Sequence, residues 1–242
     1  MRTFVLVLDF FIAMIFSILL LIPYFFLWLF KQERLRTIYG YTIVSNWARH
    51  IMAVSGANVE IIGLENLPKE NNICFIGNHQ SYFDILLVLG FIPKLTGFVA
   101  KKSLKYVPIF CYWAKSCHSL FIDRKNAKAA IKTMNEGVEA IKQGFPLVIF
   151  PEGTRSKGNN MGTFKRGSVK LALRSNAIVV PLSIQNTYKL FEEKHRIKPA
   201  DIKLKLHQPI DTSQLSREER KELPTKLEEL IRNGLTEIQA SK

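Results

Sequence analysis

A histidine and an aspartate five residues apart, His79 and Asp84 in the run NHQSYFD, are the residues best suited to proton transfer. The run follows the apolar segment ICFIG (73–77) and precedes the apolar segment ILLVLGFI, so it lies between a predicted buried strand and a predicted helix. Each residue of an α-helix turns by about 100°, so two side chains five residues apart in one helix would point away from each other. We therefore expect His79 to lie before the helix and Asp84 in its first turn, where the carboxylate can fix the imidazole tautomer and stabilise its protonated form.

The same residues also fit a purely structural interpretation. Ser81 with Asp84 three residues later has the pattern of a helix capping box, and His79 is then only a loop residue. The chain has no GxSxG motif and no cysteine beside this histidine, so the sequence shows no nucleophile of its own. If His79 acts, we expect a general base working on a hydroxyl of the substrate, a role that contributes ~10²–10⁴ in rate.

A second polar cluster, FPEGTRS (150–156), follows another predicted strand. Gly153 permits a tight turn, and Arg155 presents a planar fork suited to a phosphate or a carboxylate. We expect Glu152 to hold that arginine or a substrate hydroxyl. The structural alternative is a strand-to-loop turn closed by a surface ion pair.

Short β-rich runs alternate with helical patterns from residue 59 onward. Strands are predicted at 59–62, 73–77, 96–100, 119–122, 147–150, 178–184 and 202–207, and helices at 83–91, 103–115, 126–143, 166–175 and 214–239, with a bend or restart at Pro224. This alternation predicts an α/β fold with a mixed, largely parallel central sheet flanked by helices. Such sheets bind ligands where strands end, and His79, Lys101, Arg124 and Arg155 all follow predicted strands.

The first thirty residues predict a membrane anchor. Residues 10–30 contain no charge over 21 positions, which is long enough for the ~30 Å hydrocarbon core of a bilayer, and Pro23 marks a weak point in the helix. Residues 38–54 could fold back as a second helix, so a single span and a monotopic two-helix wedge both fit. We expect an anchor at 1–57, followed by an α/β domain at 58–242 that includes the C-terminal helix. Basic residues after the apolar stretch place that domain on the cytoplasmic face.

The charge distribution favours anionic partners. The net charge is +14, and all of the excess lies before residue 216, where 28 basic residues face 14 acidic ones. Phosphate groups and a membrane surface suit this excess, whereas the sequence has no nucleic-acid recognition pattern. The three cysteines and five histidines lack metal-ligand spacing, so we expect a reducing compartment, no disulfide and no metal.

Four blocks of the chain together resemble the glycerolipid acyltransferase superfamily, and most closely the 1-acyl-sn-glycerol-3-phosphate (lysophosphatidate) acyltransferases. They are NHQSYFD (78–84), SLFIDR (119–124), FPEGTRS (150–156) and VVPLSI (179–184), and AKKSLKYVPIF (100–110) between the first two also matches the family. The resemblance covers about residues 59–207.

The resemblance implies transfer of a fatty acyl group from acyl-CoA or acyl carrier protein to the sn-2 hydroxyl of lysophosphatidate, giving phosphatidate, without a cofactor or an acyl-enzyme. His79 corresponds to the family's general base and Asp84 to its orienting partner. The tetrahedral oxyanion is expected to bind backbone amides near the start of the following helix. The positions that match the family's acceptor-binding residues are Lys101, Arg124, Glu152, Gly153, Thr154 and Arg155.

Several alternatives stay open at the level of sequence. His118 stands where the family's second block commonly has glycine, and a histidine there could narrow the acceptor site or lie harmlessly at the start of the strand. Another lysophospholipid, a lyso-ornithine lipid or glycerol 3-phosphate could be the acceptor. A hydrolase, or a non-catalytic membrane-anchored protein that binds anionic lipid, would be a different class of function. Acyl length, the choice of donor and the oligomeric state are not set by the sequence.

Overall fold

A mixed eight-stranded sheet organises the residues that the computed structural model describes, which are 1–123, 125–165 and 167–240. Its strands are β1 (Ala57–Ile62), β2 (Ile73–Gly77), β3 (Gly97–Lys101), β4 (Leu120–Ile122), β5 (Leu147–Ile149), β6 (Ile178–Gln185), β7 (Ala200–Leu206) and β8 (Ile210–Asp211). They lie in the order β1-β7-β6-β2-β5-β3-β4, and β8 pairs with β6. Among the described strand pairs, only β6–β7 and β6–β8 are antiparallel, so the predicted mixed, largely parallel sheet is confirmed.

Helices cover both faces of this sheet. They are α1 (Arg2–Phe16), α2 (Leu21–Leu29), α3 (Glu33–Ser55), α4 (Phe83–Phe91), α5 (Pro108–Ser116), α6 (Ala127–Lys142), α7 (Lys170–Ser175) and α8 (Arg217–Ala240). Side chains alternate along the central strand β2 because successive residues of a strand point to opposite faces. Ile73 and Phe75 enter the core under α3, α4 and α5, and Cys74 and Ile76 enter the core under α6, α7 and α8.

Three predicted helices differ from the observed ones, and the helix predicted at 166–175 is observed as the shorter α7, Lys170–Ser175. The predicted helix at 103–115 is a 3-10 helix, Lys102–Tyr106, followed by α5, because Pro108 fits the first turn of a helix better than its interior. Helix α8 continues past Pro224, where a bend or restart is predicted, and it packs on the sheet through buried side chains such as Leu227 and Ile231.

The N-terminal apolar stretch forms two helices. Residues 2–29 are long and apolar enough to cross a membrane, and Ser17 is the one buried residue among them. Residues 17–20 separate α1 from α2 through tight turns, such as Ile18 N–H to Ile15 C=O and Ile22 N–H to Leu19 C=O. Pro23 lacks the amide that would otherwise bond to the Leu19 carbonyl, which explains a break at this place.

Helix α3 folds back along the first two helices. The Tyr39 hydroxyl donates to the Leu20 carbonyl at 3.1 Å, the Phe10 and Trp47 rings meet at 5.5 Å, and His50 Nε2 lies 2.9 Å from Asp9. The pairing runs in opposite directions along the chain, so α3 is antiparallel to α1 and α2, which is the folded-back arrangement that the sequence allows. Its other face joins the core beneath α4. The predicted boundary at residue 57 stays a prediction.

Candidate active site

His79 and Asp84 form a direct pair at the carboxyl end of β2. His79 Nδ1 lies 2.7 Å from Asp84 Oδ2. His79 precedes α4 and Asp84 lies in its first turn, which is the arrangement that the five-residue spacing predicts. The Asp84 side chain is fully buried, whereas 17% of the His79 side chain is exposed. The pair therefore joins a shielded carboxylate to an imidazole that a substrate can reach.

Asp84 is held by donors on both of its oxygens. Oδ2 also accepts the Gln80 and Ser81 backbone amides at 2.6 and 2.9 Å, and Oδ1 accepts the Thr187 hydroxyl. The carboxylate thus satisfies backbone amides as a cap would, and it binds the histidine at the same time. The capping interpretation and the proton-transfer interpretation are both compatible with this geometry.

The imidazole is fixed in one orientation. Its ring stacks on Phe150 with centroids 4.2 Å apart and an angle of 11° between the planes. With Nδ1–H donated to Asp84, the tautomer places a lone pair on Nε2. Among the described residues, Nε2 has no hydrogen-bond partner. One ring nitrogen is therefore available to accept a proton from a ligand.

Glu152 joins the two motif loops. Its oxygens accept the His79 amide at 2.6 Å and the Gly162 amide at 2.7 Å, and burial raises the pKa of this carboxyl group. The expectation that Glu152 holds Arg155 or a substrate hydroxyl is wrong for the arginine. Both oxygens are engaged by backbone amides, so the carboxylate positions the loops.

A different carboxylate holds Arg155. Arg155 Nη1 donates to Glu192 at 2.8 Å, and its guanidinium lies 3.4 Å above the centre of the Tyr82 ring. Glu192 is buried and also accepts the Ser81 hydroxyl at 2.7 Å and the Tyr82 amide at 3.1 Å. This carboxylate therefore ties the NHQSYFD and FPEGTRS motifs together.

Sequence reasoning misses Glu192 and Thr187, because both lie beyond the four motif blocks. Glu192 is followed by Glu193, and the sequence alone does not distinguish the two. Their contacts with the NHQSYFD motif span more than a hundred residues of chain.

The predicted basic positions differ in their exposure and in their contacts. Lys101 is exposed at the end of β3, and its neighbour Lys102 pairs with Asp123 at 3.0 Å. Arg124 lies outside the described residues. Lys165 lies beside the FPEGTRS turn, because a Cβ on Gly153 would meet its Nζ at 2.8 Å.

The turn itself needs glycine and exposes its next residue. Gly153 has a φ of +71°, a conformation that favours glycine. Thr154 is exposed, and its amide has no hydrogen-bond partner among the described residues. The turn therefore presents a backbone donor next to Arg155.

His118 lies at the opposite edge of the sheet. It precedes β4, has a φ of +56°, and stacks on Phe145, which precedes β5, with ring centroids 3.5 Å apart. The positive φ explains why glycine suits this position. His118 therefore lies at the start of β4, away from the carboxyl ends of the strands where the predicted acceptor-binding positions lie, and its effect on acceptor choice stays a prediction.

An apolar cavity of about 320 Å³ lies between the N-terminal helices and the body. Its walls come from α1, α3, α4 and α5 and include Leu20, Val44, Leu86 and Phe110. Ile85, the residue after Asp84, also lines it. The cavity therefore reaches the helix that carries the aspartate. Within the described residues, no cluster of three His, Cys, Asp or Glu side chains could hold a metal ion.

Comparison with known proteins gives consistent matches. Residues 58–185 match the family model described as Acyltransferase. A 1-acyl-sn-glycerol-3-phosphate acyltransferase of Cocos nucifera is 33% identical over 196 residues, which is 80% of this chain and 60% of that protein. One of Saccharomyces cerevisiae is 34% identical over 194 residues, which is 78% of this chain and 64% of that protein. The chain thus spans less than two thirds of the length of these curated relatives.

A solved structure matches along the whole chain. The crystal structure of the 1-acyl-sn-glycerophosphate (LPA) acyltransferase PlsC from Thermotoga maritima superimposes with a TM-score of 0.79 at 27% sequence identity. The match covers 100% of this chain and 99% of that one. The described sheet, its helices and the N-terminal helical region therefore have a counterpart of known structure.

Proposed function

Because this chain belongs to the acyltransferase family, we propose that it moves a fatty acyl group from acyl-CoA or acyl carrier protein to the sn-2 hydroxyl of 1-acyl-sn-glycerol 3-phosphate. The product is phosphatidate. The observation that carries this proposal is the His79–Asp84 pair at 2.7 Å, with Nε2 of the imidazole available to a ligand. The names of the relatives and of the matching solved structure support the choice of acceptor.

In the proposed reaction, His79 Nε2 takes the proton from the acceptor hydroxyl as the hydroxyl oxygen attacks the thioester carbonyl. Asp84 keeps Nδ1 protonated and stabilises the imidazolium that forms. The tetrahedral intermediate collapses and expels the thiolate, which needs little assistance because thiols have a pKa of about 8.5. No acyl-enzyme forms, since His79 activates a hydroxyl that the substrate supplies.

The hydrogen bonds of the amides at the start of α4 argue against the expectation that these amides bind the oxyanion. The Gln80 and Ser81 amides donate to Asp84, the Tyr82 amide donates to Glu192, and the Phe83 amide donates to the Ser81 hydroxyl. Each donor is therefore engaged within the protein, and these amides hold the catalytic pair in place.

The acceptor's phosphate is proposed to bind at the FPEGTRS turn. Arg155 uses one nitrogen for Glu192 and keeps other N–H groups for a phosphate oxygen. The Thr154 amide adds a backbone donor, and Lys101 and Lys165 add positive charge, whereas the predicted role of Arg124 concerns a residue outside the described ones. Holding the phosphate places the sn-2 hydroxyl beside His79, which converts binding energy into orientation.

The apolar cavity and the N-terminal helices suit a lipid substrate. We infer that a fatty chain enters the cavity between α1, α3, α4 and α5. Helix α3 packs along α1 and α2 and is also part of the core, so these two apolar helices lie against the α/β body. This packing favours a wedge in one leaflet, with the body on the cytoplasmic side.

The proposal is tested with the purified chain in detergent, labelled lysophosphatidate and acyl-CoA, and acyl carrier protein as a second donor. Labelled phosphatidate is the expected product. A parallel panel offers another lysophospholipid, a lyso-ornithine lipid and glycerol 3-phosphate, and acylation of one of these alone would overturn the acceptor assignment. Release of fatty acid without acceptor would indicate a hydrolase. Lipid binding without any transfer would indicate a non-catalytic lipid-binding protein.

A further inference from the structure

Exposed apolar side chains concentrate in one short segment outside the N-terminal helices. Beyond residue 38, the described residues expose seven large hydrophobic side chains, namely Leu64, Tyr82, Leu104, Tyr106, Val107, Tyr112 and Ile131. Four of the seven fall within nine consecutive residues. Leu104, Tyr106 and Val107 are 38%, 72% and 42% exposed. Such a cluster calls for an interaction partner, whereas single exposed hydrophobic residues do not.

Residues 102–107, KSLKYV, which we call the interfacial strip, mix these apolar side chains with basic ones. Every residue of the strip is exposed, and Lys102 and Lys105 flank Leu104. Tyrosine favours the headgroup level of a bilayer, and lysine buries its alkyl stem while its ammonium meets anionic headgroups. This composition suits the surface of an anionic membrane better than a purely apolar protein groove.

The interfacial strip joins the N-terminal helices to the edge of the sheet that carries the candidate site. It begins directly after Lys101 at the carboxyl end of β3 and leads into α5. On α5, Tyr112 packs against Tyr24 of α2 with ring centroids 5.3 Å apart, and Trp113 donates to Ser17 at 3.1 Å.

We propose that the interfacial strip is a second membrane contact, with Leu104, Tyr106 and Val107 at headgroup depth, Lys105 on anionic lipid, and Lys102, whose ammonium pairs with Asp123, beside them. The N-terminal helices alone hold the body near the bilayer but leave its tilt free about their axis. A second contact next to the carboxyl end of β3 fixes that tilt and turns the candidate site toward the lipid. This inference rests on membrane association of the N-terminal helices and does not depend on the proposed reaction.

Labelling with an environment-sensitive thiol dye tests the contact. The native thiols should react little with the dye, because Cys74, Cys111 and Cys117 are buried and burial raises the pKa of Cys74 and Cys117 to about 12. Tyr106→Cys places the dye on the interfacial strip. Phe25→Cys, on the exposed face of α2, reports membrane binding itself, and Ile131→Cys, on α6 and 60% exposed, is the control for a surface away from lipid.

Each labelled full-length chain is bound to vesicles that contain phosphatidylglycerol and lipids brominated near the headgroup. We expect the dye at positions 25 and 106 to lose most of its emission to the brominated lipid, and the dye at 131 to lose little. Quenching at 25 with none at 106 would overturn the proposal. Equal quenching at 106 and 131 would also overturn it, since the effect would then not be specific to the interfacial strip. Val107→Cys gives a second reading if the dye at 106 disturbs folding.

Discussion

Replacing Asp84 with asparagine separates the charge of this residue from its structural role. Oδ2 accepts from His79 Nδ1 and from the Gln80 and Ser81 amides, and Oδ1 accepts from the Thr187 hydroxyl. An asparagine oxygen in place of Oδ2 keeps the first three hydrogen bonds. The new amide nitrogen then meets Thr187, whose hydroxyl can turn to accept. The loop and the histidine tautomer should both survive.

What disappears is the negative charge opposite the imidazolium. Two unit charges about 4 Å apart interact by ~4 kcal/mol at an effective dielectric constant of about 20. Part of this remains, because the amide oxygen still accepts a hydrogen bond and solvent reaches His79. We expect kcat/KM to fall by ~10²–10³, since each factor of ten corresponds to about 1.4 kcal/mol. The free energy of unfolding should change by only about 1 kcal/mol, because three neutral hydrogen bonds replace charge-assisted ones.

Asp84→Ala is the contrasting variant, because it leaves the Gln80 and Ser81 amides and the Thr187 hydroxyl without their buried partner. Each unsatisfied buried donor costs ~1–3 kcal/mol, so this protein should lose several kcal/mol of stability. The assay pairs kcat/KM for the acceptor with thermal unfolding followed by circular dichroism, in the same detergent. Transfer by Asp84→Asn within a few-fold of wild type would refute the charge argument. A loss of activity no larger than the loss of folded protein would refute it equally.

Three further perturbations test separate parts of the molecule. Arg155→Lys keeps the positive charge but loses the planar guanidinium that contacts both Glu192 and a phosphate, and it loses the stacking on Tyr82. The acceptor KM should rise ~10–100-fold, from a loss of ~1.5–3 kcal/mol in binding free energy, while the donor KM stays constant. Equal changes in both KM values would argue against a phosphate clamp. His118→Gly should leave acceptor preference in the panel unchanged, because this residue lies at the amino edge of the sheet; a changed preference would show that this edge communicates with the site. Burial lowers the pKa of His207 from 6.5 to about 4. The neutral imidazole therefore contributes up to ~3 kcal/mol of stability above about pH 6.5, and this contribution is lost as the pH falls through 4. The free energy of unfolding measured across this range should decline, and a His207→Asn variant with the same pH profile would show that His207 is not the cause.

Local sequence signals predicted much of the fold. The helix predicted at 83–91 is α4, Phe83–Phe91, because an uncharged run between NHQSYFD and Pro93 leaves little choice of boundary. The central strand predicted at 73–77 is β2 for a similar reason, since five consecutive apolar or small residues end at a polar loop. The two-residue strand β8 carries too short a pattern to be recognised, and it pairs with Ile178 and Val179 at the start of β6, where the register of β7 does not reach.

The candidate site was predictable only where its contacts are local. The His79–Asp84 contact spans five residues, and the spacing together with the predicted helix start was sufficient. The partner of Arg155 was not predictable, because Glu192 is 37 residues away in the chain and reaches the motif through the turn after β6. The position of His118 likewise depends on strand direction, which places it at the amino edge although its block contributes to the opposite edge.

The most direct test of the account compares wild type with His79→Ala in acyl transfer from labelled acyl-CoA to lysophosphatidate. Both purified proteins are assayed in the same detergent, with circular dichroism confirming that the variant is folded. The account predicts labelled phosphatidate from wild type and none above background from His79→Ala. Without the imidazole, only Asp84 of the pair remains, and this buried carboxylate does not reach the acceptor hydroxyl to take its proton. Transfer by the folded variant at a rate close to that of wild type would contradict the general-base role of His79, and with it the mechanism built on the His79–Asp84 pair.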